Sequence, residues 1–358
     1  MRMDLVQAMT RQLASAVVAT WLLSGLDVQS QSSSQGQSPS ARPPIIDMHM
    51  HAMPRDYHGS PPPPICRDEL PFEWLDPKAA PSANVPCPSG FMEVPATDDD
   101  MIRRTVAIME QYNVTGVLSA ATRGGASPAE RLARWQKAAP GRFIPAVLSN
   151  GSASLEMIRK LATAGSLRVL GEFSFQYLGY DYSDPVVERH FALAEDLDLP
   201  IAVHAGPGAP GEPLFMSPRY RARLGSPLAL EEPLLRHPKM RLYLMHAGWP
   251  LLDETMALLY SYPPVNVDVG FISWGTPRAE FHTYLRRLVE AGFGKRVMFG
   301  SDQMIWPDTL RMAIEGVESA TFLSAEQKRD IFYNNAARFL RLTGDEIARH
   351  HGKAADGR

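Results

Sequence analysis

Two histidines one residue apart are the strongest chemical signal in the chain. His49 and His51 lie in an apolar run that reads IIDMHMH over residues 45–51. A strand directs residues i and i+2 to the same face, so both imidazoles point the same way and could share one metal ion. On its own the pair is weak evidence, because two histidines on one strand can equally be a surface pair or a buried pair.

Three more polar residues end apolar runs elsewhere in the chain. His204 ends the run PIAVH, His246 ends LYLMH and Asp302 ends VMFGSD. Imidazole and carboxylate groups are common metal ligands, so four histidines and one carboxylate at strand-like ends favour a metal site. The other histidines fall in a loop, in helical patterns or in a polar tail, where a solvated or core-edge role is expected: His58, His190, His237, His282, His350 and His351.

The elements that would position these residues alternate regularly after Pro44. Apolar, β-rich runs alternate with segments of helical spacing that carry Ser, Thr or Asp start signals, and the last helix is expected from Ser324 to about Leu342. The eight apolar runs cover residues 45–51, 114–120, 142–149, 169–175, 200–205, 241–247, 265–271 and 297–302. The pattern predicts an α/β fold, a single (β/α)8 TIM barrel with an extra C-terminal helix. A doubly wound open sheet is the alternative.

A closed barrel also explains why the polar residues are scattered along the sequence. Active sites of this fold lie at the carboxyl ends of the strands. The histidine pair ends strand 1, His204 ends strand 5, His246 ends strand 6 and Asp302 ends strand 8. Strands 1 and 8 are neighbours in a closed barrel, so all five side chains can converge, whereas in an open sheet they would not meet.

The connection after strand 1 is unusually long. Residues 53–96 contain eleven prolines, and long barrel loops are often functional lids, so we expect this insertion to cover the metal site. Cys66 and Cys87 both lie within it. They would pair in an exported protein and stay reduced in the cytosol. A bond would close a loop of about 20 residues and contribute about 3 kcal/mol on the chain-entropy model.

The composition limits the partners of the protein. The 358 residues are 45% hydrophobic and 21% charged, which is typical of a globular chain with a large core. A net charge of −3 without a basic run argues against nucleic acid as a partner. We therefore expect a small-molecule substrate, and the sequence leaves open whether the protein forms a homo-oligomer.

The N-terminus differs from the rest of the chain. Arg2 and Arg11 precede the short apolar run LASAVVATWLLSGL, and Gln and Ser dominate residues 29–40. This order is typical of a secretory signal peptide, and no apolar run reaches the length of about 20 residues that a membrane-spanning helix needs. We expect export to the periplasm or the medium, with a cytoplasmic location as the alternative. The predicted parts are a signal peptide over 1–28, a disordered Ser/Gln linker over 29–43, the barrel over 44–343 and a polar tail over 344–358.

Several short motifs, taken together, resemble the amidohydrolase superfamily. The resemblance covers about residues 44–343, and its closest branch includes aminocarboxymuconate-semialdehyde decarboxylase and resorcylate decarboxylases. The motifs that carry it are Asp47-x-His49-x-His51, His204, His246-Ala247-Gly248, Phe299-Gly300-Ser301-Asp302 and Asn334-Asn335-Ala336-Ala337-Arg338-Phe339.

The resemblance implies roles for the individual residues. It implies a divalent metal, most simply one Zn²⁺, held by His49, His51, His204 and Asp302, with His246 as the acid or base beside it. Mn²⁺, Fe²⁺ or Co²⁺ would also suit these ligands. Glu172 occupies strand 4, where many binuclear relatives carry a carboxylated lysine, so a second ion could bind through it.

On this model Asp302 would take a proton from the attacking water, and His246 would polarise the substrate carbonyl or protonate the leaving group. Asp47 lies on the same strand face as the two histidines. It could orient them, or it could be a strand-start carboxylate that bonds only to the backbone.

Aromatic residues follow several of the predicted strands and favour an apolar or ring-bearing substrate. The candidates for substrate binding are Tyr177, Trp249 and Trp274, with Phe72 and Trp74 in the lid and Trp306 after strand 8. Arg219 follows strand 5 and could bind a carboxylate, although a solvated helix start explains it equally well.

These features predict a metal-dependent hydrolase that uses a metal-activated water on an ester, lactone or amide bond. The alternative is a metal-dependent decarboxylase of a small unsaturated or aromatic acid, which would use the same ligands. A non-catalytic metal or ligand binder is a third interpretation, and the presence of every ligand together with the acid/base residue disfavours it.

Overall fold

The computed structural model describes residues 42–67, 78, 87–122, 124–149, 151 and 153–352. The predicted signal peptide, nearly all of the Ser/Gln linker and the end of the polar tail lie outside these residues, as do Phe72 and Trp74 of the lid. No helix within the described ranges is long and apolar enough to cross a membrane.

Eight parallel strands form the centre of the molecule. Each strand pairs with the next one in sequence, so their order in the sheet is the order along the chain. The strands are β1 Ile45–Ala52, β2 Val114–Ala120, β3 Phe143–Ser149, β4 Val169–Phe173, β5 Ile201–His204, β6 Leu242–Met245, β7 Asn266–Asp268 and β8 Val297–Met298.

The first and last strands meet through the segment that follows β8. Met48 donates its backbone N–H to the Phe299 carbonyl at 2.9 Å, and Asp302 donates to the His49 carbonyl at 2.7 Å. Met50 also forms a parallel bridge with Gln303. These contacts bring the two edges of the sheet together, so the (β/α)8 barrel prediction is confirmed and the open-sheet alternative is wrong.

Each strand is followed by one principal helix. These are α1 Asp98–Tyr112, α2 Pro128–Ala138, α3 Leu155–Thr163, α4 Pro185–Asp196, α5 Glu231–Arg236, α6 Leu252–Ser261, α7 Arg278–Leu288 and α8 Asp308–Glu318. The first three begin at the capping residues that the sequence indicated, because the side chains of Thr97, Ser127 and Ser154 each accept a backbone N–H of the first turn.

Shorter helical turns occupy the connections and the C-terminal part of the chain. The connections contain Phe175–Leu178, Glu212–Phe215, Ala222–Gly225, Pro227–Leu230, His246–Gly248, Ile272–Gly275, Val289–Phe293 and Gly294–Arg296. After α8, three consecutive helical segments run over Ala325–Arg329, Asp330–Asn334 and Asn335–Phe339. Gly344–His350 is a further short helix inside the stretch that the sequence indicated as a polar tail.

The core has two parts. The larger part packs the strands against the surrounding helices. The smaller part takes buried residues from seven of the eight strands, such as Ile46, Val117 and Met298, and joins them to Tyr333 and Phe339 of the C-terminal segments. Because so many strands contribute to it, this smaller part fills the inside of the barrel and leaves the carboxyl ends of the strands for polar side chains.

The described part of the 53–96 insertion, which the sequence predicted to be a lid, is held by a disulfide, a short ribbon and contacts with the barrel. Cys66 and Cys87 form a disulfide with their Cα atoms 5.6 Å apart, which confirms the predicted pairing. A two-stranded antiparallel ribbon, Ile65–Cys66 with Phe91–Met92, lies beside this bond. The indole N–H of Trp306 donates to the Pro63 carbonyl at 3.1 Å, and its ring stacks on His58. The start of the lid is therefore anchored to the loop after β8.

Candidate metal centre

The two histidines of β1 face one carboxylate from the segment after β8, at the place where the barrel closes. Nε2 of His49 lies 3.3 Å, and Nε2 of His51 3.0 Å, from Oδ1 of Asp302. All three residues are buried. The contact follows from the closure of the barrel, since the backbone bond from Asp302 to His49 aligns the end of β1 with the segment after β8.

Glu172 of β4 connects this trio to the histidines of β5 and β6. Its Oε2 lies 3.7 Å from Nε2 of His49 and 3.5 Å from Nε2 of His51. Its Oε1 lies 2.5 Å from Nδ1 of His204 and 3.7 Å from Nε2 of His246. The predicted approach of Glu172 to His204 is confirmed, and this carboxylate touches every histidine that the sequence singled out.

The potential ligand atoms form two overlapping groups that share His49. One group is His49, His51 and Asp302, and the other is His49, Glu172 and His246, with all ligand atoms of each group within 4.8 Å of one another. His204 is in neither group, but its Nδ1 lies 2.5 Å from Oε1 of Glu172 and 3.1 Å from Nε2 of His246. Three of the four predicted ligands thus share one group, and the fourth joins the centre through Glu172.

The donor set fits a divalent cation. Imidazole nitrogens and carboxylate oxygens are the ligands that Zn²⁺ and related ions prefer. Nε2 of His49 is fully buried, lies at the overlap of the two groups and makes no hydrogen bond. A metal-binding nitrogen needs a lone pair that no hydrogen bond occupies. A buried nitrogen that faces two carboxylates without a hydrogen bond meets this requirement.

The charges within the centre stabilise one another. Burial would raise the pKa of Glu172, but its close contacts with His204, His246 and His49 hold it well below its usual range. Burial would likewise raise the pKa of Asp302, but the nearby charges of His49 and His51 lower it. For His49 burial acts in the opposite direction, and the charges of Asp302 and Asp268 raise its pKa well above the usual value. The centre therefore favours anionic carboxylates beside a cation.

Asp268 organises the centre, and the sequence analysis missed it. This residue ends β7 and is fully buried. Its Oδ1 accepts the backbone N–H groups of His246 at 3.1 Å and Gly270 at 2.8 Å. The same carboxylate lies 3.3–3.4 Å from Nδ1 of His49. The available signal was a single acidic residue inside the apolar run VNVDVGF.

Two glycines make room for the His49 ring. A Cβ atom at Gly270 would lie 2.4 Å from Nδ1 of His49, and one at Gly300 would lie 2.9 Å from its Cβ. Neither position has space for a side chain.

Asp47 bonds to the backbone rather than to a histidine ring. Its Oδ1 accepts the backbone N–H groups of His49 and Ser301, each at 2.9 Å. Burial, only partly offset by these bonds, raises the pKa of Asp47 to about 7. Of the two interpretations of this residue, these contacts support the backbone-bound carboxylate, which ties β1 to the segment after β8.

The residues predicted to bind substrate lie at different distances from the centre. The Tyr177 ring packs edge-on against His204, with ring centroids 5.3 Å apart. Trp274 is buried and donates its indole N–H to the Ser301 carbonyl at 2.6 Å. Its ring contacts Phe271, which in turn packs against His246 and was also missed by sequence reasoning.

The other two predicted residues lie further out. Trp249 follows directly after the His246 turn and donates its indole N–H to Glu280 at 3.1 Å. The side chain of Arg219 is exposed and makes no contact with the centre within the described ranges. Tyr177 is therefore the predicted substrate residue in most direct contact with the centre.

Comparisons with known proteins identify the family and support the fold. The family model described as amidohydrolase matches residues 46–342. A search of the curated proteins finds no match. A solved structure similar to the chain is a probable 2-pyrone-4,6-dicarboxylic acid hydrolase from Acinetobacter baumannii with citric acid bound. It has a TM-score of 0.53 and 14% identity, over 83% of this chain and 99% of that one.

Two further solved structures cover the barrel to a similar extent. One, from Pseudomonas putida and with the same proposed activity, has a TM-score of 0.51 and 16% identity over 84% of this chain and 98% of that one. The other is the IDCase of Metarhizium anisopliae in its apo form. It has a TM-score of 0.50 and 18% identity, over 85% of this chain and 98% of that one. At these identities the likeness concerns the fold. The family match extends over most of the sequence, and the chain belongs to the amidohydrolase family.

Proposed function

We propose that this protein is a metal-dependent hydrolase that cleaves an ester, lactone or amide bond of a small, ring-bearing substrate. One observation carries the proposal: the ligand atoms of His49, His51 and Asp302 converge at the carboxyl ends of the strands, with Glu172 in contact with both histidines.

The proposed metal is one Zn²⁺, with Glu172 able to hold a second ion. A bound divalent cation would polarise a substrate carbonyl and lower the pKa of a water molecule. The arrangement of donors supports this assignment, because each of the two ligand groups brings imidazole nitrogen and carboxylate oxygen within 4.8 Å.

His246 is suited to act on the substrate because one of its nitrogens is already fixed. Its Nδ1 lies 3.0 Å from the Gly270 carbonyl, which can only accept, so Nδ1 carries the proton. The second nitrogen, Nε2, then points to the Glu172 and His204 side of the centre. Burial lowers the pKa of His246, but the hydrogen bond with Glu172 outweighs it and raises the pKa, which favours donation of a proton from Nε2 to a leaving group.

Asp302 is suited to accept the proton that an attacking water loses. Its pKa is lowered by His49 and His51, so it is ionised at neutral pH, and its Oδ1 lies between their Nε2 atoms. The centre thus contains both a proton acceptor and a proton donor, and hydrolysis uses one of each. The decarboxylase alternative would use the same residues.

A substrate panel tests the proposal. Metal-depleted protein would be reloaded with Zn²⁺, Mn²⁺ or Co²⁺ and assayed on matched aryl esters, aryl lactones, anilides and hydroxybenzoates. We expect ester or lactone cleavage that requires the metal and is lost in Asp302→Asn. Release of CO₂ from the hydroxybenzoates without any hydrolysis would replace this proposal with the decarboxylase. Full activity without metal would overturn both.

We also propose that the protein is exported through its N-terminal segment. The Cys66–Cys87 bond supports this location, because an oxidising compartment maintains such bonds and the cytosol reduces them. Fractionation and N-terminal sequencing of the protein from its native cells would test it. A mature N-terminus near residue 29 in an extracytoplasmic fraction is expected, whereas an intact Met1 in the cytosol would contradict it.

A further inference from the structure

Glu212 is a buried carboxylate without a partner. Only 4% of its surface is exposed, and within the described ranges its side chain takes part in no hydrogen bond or ion pair. The other buried carboxylates all accept at least one: Asp47, Glu172, Asp268, Asp302 and Asp330. Its carboxylate oxygens are not sealed from solvent, so a group from outside the chain can reach them and form hydrogen bonds that the described residues do not supply.

Glu212 lies near a residue that contacts the metal centre. It follows β5 in the connection that begins after His204, and its Cγ and the hydroxyl of Tyr177 both lie close to Gly208. A Cβ atom at Gly208 would lie 2.9 Å from the Tyr177 hydroxyl and 3.2 Å from Cγ of Glu212. Gly208 itself is held in place, because its N–H donates to the Tyr220 hydroxyl at 2.6 Å.

Tyr177 links this carboxylate to the centre. Its ring packs against His204, which bonds to Glu172. A tyrosine that packs against His204 therefore also lies close to the Glu212 side chain, because both approach Gly208.

We propose that Glu212 and Tyr177 form a recognition subsite for a hydrogen-bond-donating, preferably cationic, group of the substrate. A carboxylate without an internal partner forms charge-assisted hydrogen bonds with an ammonium group, and it repels a second carboxylate. This subsite distinguishes the chain from a hydrolase of dicarboxylic acids. The inference adds a substrate preference to the proposed function. Binding at the subsite does not depend on the proposed function, whereas cleavage of the bound substrate does.

Binding of two probes of equal shape tests the subsite. Benzylamine carries a cation at neutral pH, and benzyl alcohol carries a neutral donor. Calorimetry on the Zn²⁺-loaded full chain should give an affinity for benzylamine at least tenfold higher than for benzyl alcohol. Glu212→Gln should remove this preference, and Glu212→Asp, which keeps the charge, should retain most of it. Glu156→Gln, at an exposed position of α3, is the matched control and should change neither affinity.

The results separate a recognition role from a structural one. Because Glu212→Gln removes an unpaired buried charge, its Tm should equal or exceed that of the unchanged protein. A lower Tm together with weaker binding of both probes would show a structural role and overturn the subsite, as would an unchanged preference for benzylamine.

The subsite and the proposed function fail in different ways. If no ester, lactone or amide is cleaved but Glu212 still determines the preference for benzylamine, the hydrolase proposal is wrong and the subsite stands. If esters are cleaved but Glu212→Gln leaves the preference for amine-bearing over neutral esters unchanged, the hydrolase stands and the subsite is wrong.

Discussion

The Asp268 carboxylate lies 3.3 Å from Nδ1 of His49, and this contact decides which nitrogen of His49 can bind a metal. A carboxylate accepts a hydrogen bond, so in a neutral His49 ring Nδ1 carries the proton and Nε2 offers its lone pair to a metal. Nε2 faces Asp302 and Glu172. A residue of β7 thereby orients His49, the proposed ligand of β1.

Replacing Asp268 by asparagine should weaken metal binding. All three groups that face its carboxylate are donors, and an asparagine NH₂ would oppose one of them. We expect a loss of metal affinity of about 10–100-fold, which is typical when the partner of a histidine ligand is removed. Competition with a chelating dye measures it, and Asp253→Asn on the exposed face of α6 is the control. Equal affinities for the two variants would contradict the orienting role.

Gly270 should tolerate no side chain. The methyl group of Gly270→Ala would lie 2.4 Å from Nδ1 of His49, so the ring must leave its present position beside Asp268 and Asp302. We expect weaker metal binding and a Tm several degrees lower, since overpacking costs about 1–3 kcal/mol. Gly344→Ala is the matched control, because its methyl group would meet nothing within 4 Å. Normal metal content in Gly270→Ala would mean that His49 can rotate without loss of the site.

Glu172 should contribute to metal binding. It touches both histidines of β1 and bonds to His204, so Glu172→Gln removes the charge that holds two halves of the centre together. We expect at least tenfold weaker metal binding and, if two ions bind, the loss of one equivalent in a titration followed by elemental analysis. A titration that ends at one equivalent with unchanged affinity would leave Glu172 a structural or substrate-binding role.

The sequence predicted the strands and the polar residues at their ends, because strand periodicity and barrel topology together determine where such residues lie. It did not reveal which of them touch. That pattern depends on long-range contacts where the barrel closes, such as the backbone bond from Asp302 to His49. Asp268 was missed because it lies inside the apolar run 265–271, whereas His204, His246 and Asp302 end theirs.

Some elements are shorter than the sequence pattern predicts, and the reasons are local. The apolar run over 265–271 forms a strand only over Asn266–Asp268, because the chain turns at Gly270 and Phe271 adopts a φ of 58°. The helical segment between β5 and β6 is a 3₁₀ turn over Pro227–Leu230 followed by the short helix α5, since Pro233 cannot donate a backbone hydrogen bond.

Asp330 should give the fold an acid-sensitive contact near β8. Burial would raise its pKa, but hydrogen bonds from Lys295 and Asn334 lower it. A lowered pKa in the folded state stabilises the protein above the ordinary value of 3.8, and this contribution disappears as the pH falls through the folded pKa. Asp330→Asn should therefore lower the free energy of unfolding by about 2 kcal/mol at pH 7, with a smaller difference below pH 4.

Thermal unfolding between pH 3 and pH 8 checks this expectation. Glu326→Gln is the control, because Glu326 pairs with the same lysine at 3.3 Å but is exposed. A difference between Asp330→Asn and the unchanged protein that stays constant with pH would indicate lost packing rather than a lost charge.

His246 should be needed for turnover and dispensable for holding the metal. Its Nδ1 is fixed by the Gly270 carbonyl, and a histidine pair, Asp302 and Glu172 remain as donors when its ring is removed. His246→Asn should keep its metal content and Tm while kcat falls by about 10²–10⁴-fold, the usual contribution of a general acid or base. Elemental analysis and steady-state kinetics on the same preparation measure both. Loss of the metal would instead make His246 a ligand beside Glu172 in a two-metal centre. Retention of both metal and full rate would remove the proton donor from the proposed mechanism.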